Sequence, residues 1–239
     1  MYGFYFDPTY ILVIIGALLC MWASGRVKTT YAKYERIRSR GGMTGAEAAE
    51  RILRMSGIND VQIQHVKGDL TDHYDPRAKV LRLSDTVYDS RSVAAIGVAA
   101  HECGHAIQHK EGYLPLKVRS LLVPIANIGS QLGLPLVLLG LVLGLSFELP
   151  GGGYFSLAEI GVWVFSFAVL FQLVTLPVEF NASGRALKLL GEYGIMNDDE
   201  TDDCKRVLGA AALTYVAAAA SSVLQLLRLV LLSNHRRRD

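Results

Sequence analysis

The chain has 239 residues, of which 51% are hydrophobic and 19% are charged, and its formal net charge is +2 at pH 7. Soluble proteins contain roughly 25% charged residues, so this chain is depleted in charge, and long apolar stretches account for the deficit. A net charge so close to zero gives no indication of nucleic-acid binding. The three cysteines, Cys20, Cys103 and Cys204, share no metal or redox spacing, and a cytoplasmic location would keep them reduced.

The first predicted element is an apolar helix, YILVIIGALLCMWA, at residues 10–23. With its uncharged flanks it approaches the ~17–25 residues that a membrane-spanning helix needs. Asp7 precedes this stretch, and six basic residues follow it between positions 26 and 40. A secretory signal peptide has its basic residues before the apolar core and a small-residue cleavage site after it, and this chain shows neither pattern. We therefore predict an uncleaved amino-terminal transmembrane anchor over residues 1–25.

The basic segment that follows the anchor is a candidate contact with lipid. Residues 26–40 contain six basic side chains and one acidic side chain, Glu35. Juxtamembrane clusters of this kind attract the anionic lipids of the inner leaflet. We therefore expect anionic lipid at the inner leaflet as a partner, and the same charges also serve as a topology signal.

Residues 26–120 are predicted to form a cytoplasmic part in which helices and strands are mixed. Thr44 and Glu47 fit the capping box S/T-x-x-E at the start of a helix. The alternation of DVQIQHV, residues 60–66, predicts a strand. A short second strand is expected around residues 79–83, after a turn at an Asp-Pro pair.

Two further apolar stretches predict a transmembrane helical hairpin over residues 121–177, with a connecting loop at residues 146–156. Two prolines interrupt the first stretch, and prolines are tolerated in membrane helices because neighbouring groups satisfy the freed backbone. Basic residues precede the hairpin and follow it, whereas the loop has none. The positive-inside rule therefore places the loop and the amino terminus outside and both flanking parts of the chain in the cytoplasm.

The fourth apolar stretch, residues 207–232, allows two interpretations. A spanning helix would place Arg236, Arg237 and Arg238 outside, against the charge rule. Its polar residues lie within one narrow sector at ~100° per residue; they are Thr214, Ser221, Gln225 and Arg228. We therefore expect a helix that is buried against the soluble part or lies at the membrane surface. The acidic segment before it, residues 197–203, is expected to be a solvated loop whose charge favours the helix start.

A helix capped by one of the Asp or Ser residues of 89–92 is predicted to carry the segment HECGHAIQH, residues 101–109. Residues four apart lie on one helix face, so His101 and His105 can both reach one metal ion. Glu102 is offset by ~100° and can reach a water molecule beside the ion, which is the general-base position of H-E-x-x-H zinc peptidases. Coincidence is a poor explanation, because a random chain of this length shows the pattern at a rate on the order of one per cent.

A hydrolytic zinc site needs a third protein ligand and an open position for water. His109 follows His101 by eight residues, so a straight helix carries it ~6 Å beyond His105, and a second-sphere or surface position is expected. The segment LPVEFNASGRALKLL offers Glu179, which is expected to begin a helix where the chain returns from the membrane. An acid just after a proline is also ordinary helix-start chemistry, and the spacing alone does not decide between the two explanations.

The sequence resembles the YugP-like family of neutral zinc metallopeptidases, which are bacterial membrane proteins. The segments AAHECGHAIQH, HYDPRAKVLRLS, LPVEFNASGRA and ALTYVAAA carry this resemblance, which covers nearly the whole chain. More distantly, the chain is similar to the HtpX-like and CAAX-processing membrane gluzincins, in which a later glutamate of an E-x-x-x-D motif completes the site. Glu179 matches that glutamate, whereas Ser183 stands at the aspartate position and departs from the pattern.

The resemblance implies an α+β fold, a zincin-like metalloprotease domain with the amino-terminal anchor and an inserted transmembrane hairpin. Residues 178–239 would supply the helix of the third ligand and a carboxy-terminal apolar helix. The implied activity is a zinc-dependent endopeptidase of the bacterial inner membrane, with one Zn²⁺ per chain held by His101, His105 and Glu179 and with Glu102 as general base. Its substrate would be a peptide or a membrane protein.

Two alternatives remain open at this point. One is a zinc-binding membrane protein with a non-proteolytic scaffold or interaction role, and the other is a zinc hydrolase that acts on a substrate other than a peptide. The intact Glu102 favours chemistry over binding alone. The strand near residues 79–83 is the candidate edge to which an extended substrate could add, and Arg185 and Tyr215 are the candidate oxyanion donors.

Overall fold

Six helices and five strands make up the part of the chain that the computed structural model describes, residues 7–148 and 154–235. The helices are α1 (Tyr10–Tyr34), α2 (Gly45–Met55), α3 (Val93–Lys110), α4 (Leu114–Leu143), α5 (Leu157–Glu192) and α6 (Asp198–His235). The strands are β1 (Gln62–Val66), β2 (His73–Asp75), β3 (Val80–Ser84), β4 (Ser146–Glu148) and β5 (Tyr154–Ser156). The described chain is thus mostly helical with a few strands, which confirms the predicted combination of elements at that level.

The chain divides into two compact units. The mixed unit comprises residues 23–117 and 176–214, and the apolar unit comprises residues 1–22, 118–175 and 215–239. α1, α4, α5 and α6 contribute residues to both units, whereas α2, α3 and the strands β1 to β3 belong to the mixed unit. All the candidate metal ligands of the sequence therefore belong to the mixed unit.

The sheet of the mixed unit has the strand order β1-β3-β2. β3 pairs in parallel with β1 on one side and antiparallel with β2 on the other. The strands predicted at residues 60–66 and near 79–83 are confirmed as β1 and β3. The expectation that the second of them is an edge strand is wrong, because β2 covers its free side and β3 is the central strand.

Strand β2 was not predicted from the sequence, and Asp72, which precedes it, contacts the end of β3. Its carboxylate accepts hydrogen bonds from the backbone nitrogen of Ser84 at 2.8 Å and from the Ser84 hydroxyl at 2.9 Å. Burial raises the pKa of Asp72, and these two hydrogen bonds offset part of that rise. A strand of three residues offers no alternation to detect, so the sequence pattern does not predict β2.

The core of the mixed unit forms where α2, α3, β3 and the second half of α5 meet. The predicted capping box is present at α2, where the Thr44 side chain accepts from the Glu47 backbone and the Glu47 side chain accepts from the Thr44 backbone. Ser92 caps α3 by accepting from the backbone of Ala95 at 3.1 Å. Large side chains are fully buried between these elements, each stabilising the fold by about 1.5–3 kcal/mol; they include Ile52, Leu81, Leu83, Ile96 and Leu190.

Helix α5 is continuous through Pro177, so the expectation that Glu179 begins a helix is wrong. A proline removes one backbone hydrogen bond, but membrane helices tolerate that loss. The expectation of a loop at residues 197–203 is also wrong, because α6 begins at Asp198. Acidic residues do occupy the first turn of α6, as the charge argument predicted, and Asn197 and Glu200 hydrogen-bond each other's backbone nitrogen there.

Within the apolar unit, α4 and α5 approach closely at glycines. A Cβ at Gly129 would lie 2.5 Å from the carbonyl oxygen of Val164, and one at Gly133 would lie 2.6 Å from Cβ of Phe165. Small residues at such contacts are typical of helix packing in membranes. By length and composition, four helices among the described residues could cross a membrane: α1, α4, α5 and α6.

The second half of α6 packs against α1 inside the apolar unit. A Cβ at Gly16 would lie 2.6 Å from the hydroxyl of Ser221, and the guanidinium of Arg228 lies 3.3 Å from the carboxylate of Asp7 and 4.0 Å above the ring of Tyr10. The polar stripe of α6 therefore faces α1 at two positions. The first half of α6 packs in the mixed unit, where Val207 lies in one buried cluster with two tyrosines of α1.

Candidate metal centre

Two histidines of α3 and one glutamate of α5 converge in the mixed unit. The ligand atoms of His101, His105 and Glu179 all lie within 4.8 Å of one another. Oε2 of Glu179 lies 3.2 Å from Nε2 of His101 and 3.5 Å from Nε2 of His105. The side chain of Glu179 is only 3% exposed, so the three groups meet in a region that excludes most water.

The two helices can come this close because Gly104 lies between the histidines. A Cβ at position 104 would lie 2.6 Å from the carbonyl oxygen of Ala182 on α5. The absent side chain therefore lets the backbones touch, and Ala182 is only three residues from Glu179. The i, i+4 spacing on α3 then directs both imidazoles toward the Glu179 carboxylate.

Each imidazole is held from behind by a second polar side chain. Nδ1 of His101 lies 3.1 Å from the hydroxyl of Ser183, and Nδ1 of His105 lies 3.0 Å from Oε1 of Gln108. An amide oxygen only accepts hydrogen bonds, so Nδ1 of His105 carries a proton, and Nε2 is the ring atom that faces Glu179. Such partners fix the ring orientation and tautomer of metal-binding histidines.

Gln108 is the first of several hydrogen-bonded side chains that lead away from the site. Its amide nitrogen donates to the carbonyl oxygen of Val178 at 2.8 Å and to Oδ1 of Asn181 at 2.9 Å. Asn181 also accepts from Nε of Arg185 at 2.7 Å, and Arg185 pairs with Glu111 at 2.7 Å. Gln108 is fully buried, and its two donated bonds fix which amide atom faces His105.

Gln108 and Asn181 were not predicted from the sequence. The signal for Gln108 was present, because it follows His105 by three residues and so lies on the same helix face. Arg185, one of the two candidate oxyanion donors, donates a hydrogen bond to Asn181 and forms an ion pair with Glu111. Tyr215, the other candidate, falls in the apolar unit.

Glu102 lies outside the convergent set and is bound to strand β2. Its Oε2 accepts a hydrogen bond from the backbone nitrogen of Tyr74 at 3.0 Å, and its side chain is buried. Within the described chain, no donor hydrogen-bonds Oε1, so that oxygen can accept a proton. Glu102 thus has the fixed orientation that a general base needs.

The pKa values of two further side chains of α3, His105 and Cys103, are shifted from their ordinary values. Burial acts to lower the pKa of His105, but the hydrogen bond to Glu179 and the charge of Glu102 outweigh it and leave the pKa raised. The thiol of Cys103 points away from the site, 3.6 Å from the carbonyl oxygen of Ala49. Burial, with a smaller effect of Glu102, raises the pKa of Cys103 well above its ordinary value and keeps it protonated.

The remaining histidines of the described mixed unit lie outside the convergent set. His109 is exposed, and its Nδ1 lies 2.9 Å from the hydroxyl of Tyr74. His73 is exposed, with Nε2 3.2 Å from a guanidinium nitrogen of Arg82. His65 pairs with Asp85 at 2.7 Å.

The donor chemistry of the convergent set fits zinc. Two imidazole nitrogens and one carboxylate oxygen are the protein ligands of His₂Glu catalytic zinc sites, which keep a fourth position open. Both Nδ1 atoms are engaged elsewhere, so both Nε2 atoms are available to an ion. A buried carboxylate between two imidazoles is also costly unless it is compensated, and a cation would compensate it.

Comparisons with known proteins agree with this chemistry. Residues 9–234 match the family described as "Putative neutral zinc metallopeptidase". The chain is also 46% identical over 224 residues to "Putative membrane protease YugP" of Bacillus subtilis (strain 168), which covers 93% of this chain and 96% of that protein. No solved structure matches the chain. The matched region extends from the start of α1 to the end of α6 and contains every residue of the convergent set.

Proposed function

The chain belongs to the neutral zinc metallopeptidase family, and we propose that it is a membrane-embedded zinc endopeptidase that hydrolyses peptide bonds. The observation that carries the proposal is the convergence of His101, His105 and Glu179 beside a buried, oriented Glu102. In this proposal the mixed unit is a zincin-like catalytic domain of the gluzincin type. The three convergent side chains hold one Zn²⁺ per chain.

The proposed reaction assigns each step to a residue. Zinc, when bound, supplies Lewis acidity, which polarises a carbonyl group and makes water a stronger acid. Glu102 takes a proton from the attacking water on its unengaged Oε1, and the backbone of Tyr74 holds Oε2 in place. As the carbon–nitrogen bond breaks, Glu102 passes that proton to the leaving amine.

Strand β2 is the proposed edge for an extended substrate, in place of the central β3. Tyr74 of β2 reaches Glu102 through its backbone nitrogen, so a peptide beside this strand would lie next to the general base. Backbone pairing at a strand edge supplies affinity for an extended chain without regard to its sequence. A peptide or an unfolded segment of a membrane protein is therefore the proposed substrate.

We also propose that the protein resides in the bacterial inner membrane with the mixed unit in the cytoplasm. Four described helices have the length and composition of membrane spans, and the Bacillus subtilis relative is named a membrane protease. The side of the membrane rests on the distribution of Lys and Arg along the chain.

Replacing Glu102 tests the proposed reaction. We expect Glu102→Gln to keep its zinc, because Glu102 is not one of the convergent ligands, and to lose on the order of 10²-fold or more in hydrolysis. Elemental analysis and a casein-cleavage assay on the purified full-length protein in detergent would measure both. Glu50→Gln, an exposed position on α2, is the matched control and should behave as wild type. Activity of Glu102→Gln within a few-fold of wild type would contradict the mechanism.

A further inference from the structure

A basic cleft lies between α1 and α6 in the mixed unit, apart from the candidate metal centre. Its volume is about 580 Å³, and it is open to solvent. Its walls are Arg26, Thr29, Thr30, Lys33 and Tyr34 of α1 and Arg206, Gly209, Ala210 and Leu213 of α6. We propose that this cleft binds the phosphate headgroup of an anionic phospholipid.

The spacing of the lining residues produces the cleft. On both helices they recur at intervals of three or four, so each set lies on one face of its helix. Gly209 and Ala210 are small, and nothing lies within 4 Å of the place where a Cβ at Gly209 would be. Larger side chains at these two positions would fill the space that the cleft occupies.

The charges in the cleft suit a phosphate group. Arg26 and Lys33 are exposed and form no ion pair within the described chain, whereas Arg206 pairs with Asp203 at 2.8 Å. The lining therefore holds three cations and no carboxylate, and the carboxylates that act on Arg206 are those of Asp203 and Asp202 on α6. Guanidinium and ammonium groups are the side chains that bind phosphate oxygens most strongly.

A hydroxyl completes the proposed phosphate site. The Tyr34 hydroxyl accepts from Arg206 at 3.3 Å, which leaves its own O–H free to donate. Tyr34 itself is almost fully buried, so its hydroxyl is held at the wall of the cleft, and the ammonium of Lys33 lies 5.0 Å from the centre of its ring. A hydroxyl donor beside exposed cations can bind a phosphodiester through several of its oxygens.

The position of the cleft along both helices favours a lipid over a soluble anion. Arg26 follows the apolar stretch 10–23 of α1 within one turn, and Leu213 of α6 lies two residues before Tyr215, where α6 enters the apolar unit. Lipid headgroups lie where the apolar part of a spanning helix ends. Ala210 and Leu213 add an apolar wall for the first part of an acyl chain. The inference needs α1 to span the membrane and does not depend on peptidase activity.

The test is a lipid titration of the full-length protein in nonionic detergent, followed by native mass spectrometry. The probes are phosphatidylglycerol, zwitterionic phosphatidylcholine and inorganic phosphate. Arg26→Gln/Lys33→Gln should weaken phosphatidylglycerol binding on the order of 30-fold, from about fivefold for each cation. Lys28→Gln/Arg36→Gln removes the same charge from exposed positions outside the cleft, and it should stay within about threefold of wild type.

A second variant tests the cleft without changing charge. Gly209→Leu should fill the space and weaken phosphatidylglycerol binding by a similar factor, while its helix propensity favours folding. Phosphatidylcholine should bind at least about tenfold more weakly than phosphatidylglycerol, because it has no net charge. Equal losses in the cleft and control double variants, unchanged binding in Gly209→Leu, or displacement of the lipid by excess inorganic phosphate would each overturn the proposal.

Discussion

The two histidines of the candidate metal centre are supported by residues of different kinds. Gln108 is fully buried and donates two hydrogen bonds, so its contact with His105 has little freedom. Ser183 is partly exposed, and its hydroxyl can rotate or be replaced by water. His101 thus has a weaker supporting partner than His105.

That difference predicts unequal effects of the two supporting residues. We expect Gln108→Leu to weaken zinc binding by about 10–100-fold, because His105 loses its orienting acceptor. Ser183→Ala should weaken zinc binding less, since water can take the place of the hydroxyl. Competition with a chelator of known affinity would measure both, with thermal denaturation as a check on folding. If Ser183→Ala proved the more damaging change, the importance assigned to Gln108 would be wrong.

Glu179 and His109 are the two candidates for a third ligand that the sequence offered. Glu179 lies with the two histidines, whereas His109 is exposed and contacts Tyr74. We expect Glu179→Ala to abolish tight zinc binding and hydrolysis, because a zinc site with two protein ligands is weak. His109→Ala should keep zinc near one per chain by elemental analysis. If chelator competition showed that His109→Ala binds zinc more weakly than Glu179→Ala, the His₂Glu assignment would be excluded.

At the scale of elements, local sequence patterns predicted the structure correctly where it depends on contacts between neighbouring residues. The Thr44 capping box and the i, i+4 pair of α3 depend on neighbours within one turn, and both were predicted correctly. The course of α5 through Pro177 was missed, because the proline and the acid after it resemble a helix start. Whether a proline begins a helix or lies inside it depends on the packing around it, which the sequence pattern does not contain. The three-residue strand β2 was missed for a similar reason.

The contact between α3 and α5 depends on the absence of a side chain at Gly104. We expect Gly104→Ala to push the two helices apart, lower the thermal midpoint, and destabilise the fold by about 1–3 kcal/mol. Zinc affinity should fall at least about tenfold, because the histidines move away from Glu179.

The matched control for Gly104→Ala is on α5. Gly184 is exposed, and nothing lies within 4 Å of an added Cβ there, so Gly184→Ala should raise stability by about 0.5–1 kcal/mol through helix propensity alone. Thermal denaturation in detergent and chelator competition would compare the two variants. Wild-type zinc affinity in Gly104→Ala would show that the close approach is not needed for the site.

At the scale of the whole molecule, two features of the chain bear on whether α6 crosses the membrane. The charge rule opposes a span, because three arginines at positions 236–238 would then lie outside. The packing favours a span, since contacts of α6 with α1 run from Ser221 beside Gly16 to Arg228 beside Asp7. Arg228 is only 6% exposed, so loss of Asp7 would leave its charge largely buried and unpaired. The pair therefore favours an α6 that stays beside α1.

The contacts between α6 and α1 predict a definite topology. If the amino terminus is outside and α6 runs antiparallel to α1, the end of α6 is outside as well. In a variant with Cys20→Ala, we therefore expect an impermeant thiol reagent on whole cells to label Glu148→Cys and Asn234→Cys. Glu50→Cys on α2 should react only after the cells are permeabilised. All three positions are exposed, and the remaining native cysteines, Cys103 and Cys204, are buried and should stay silent. Protection of Asn234→Cys in intact cells would show that the charge rule outweighs the contacts with α1, and labelling of Glu50→Cys would invert the whole arrangement.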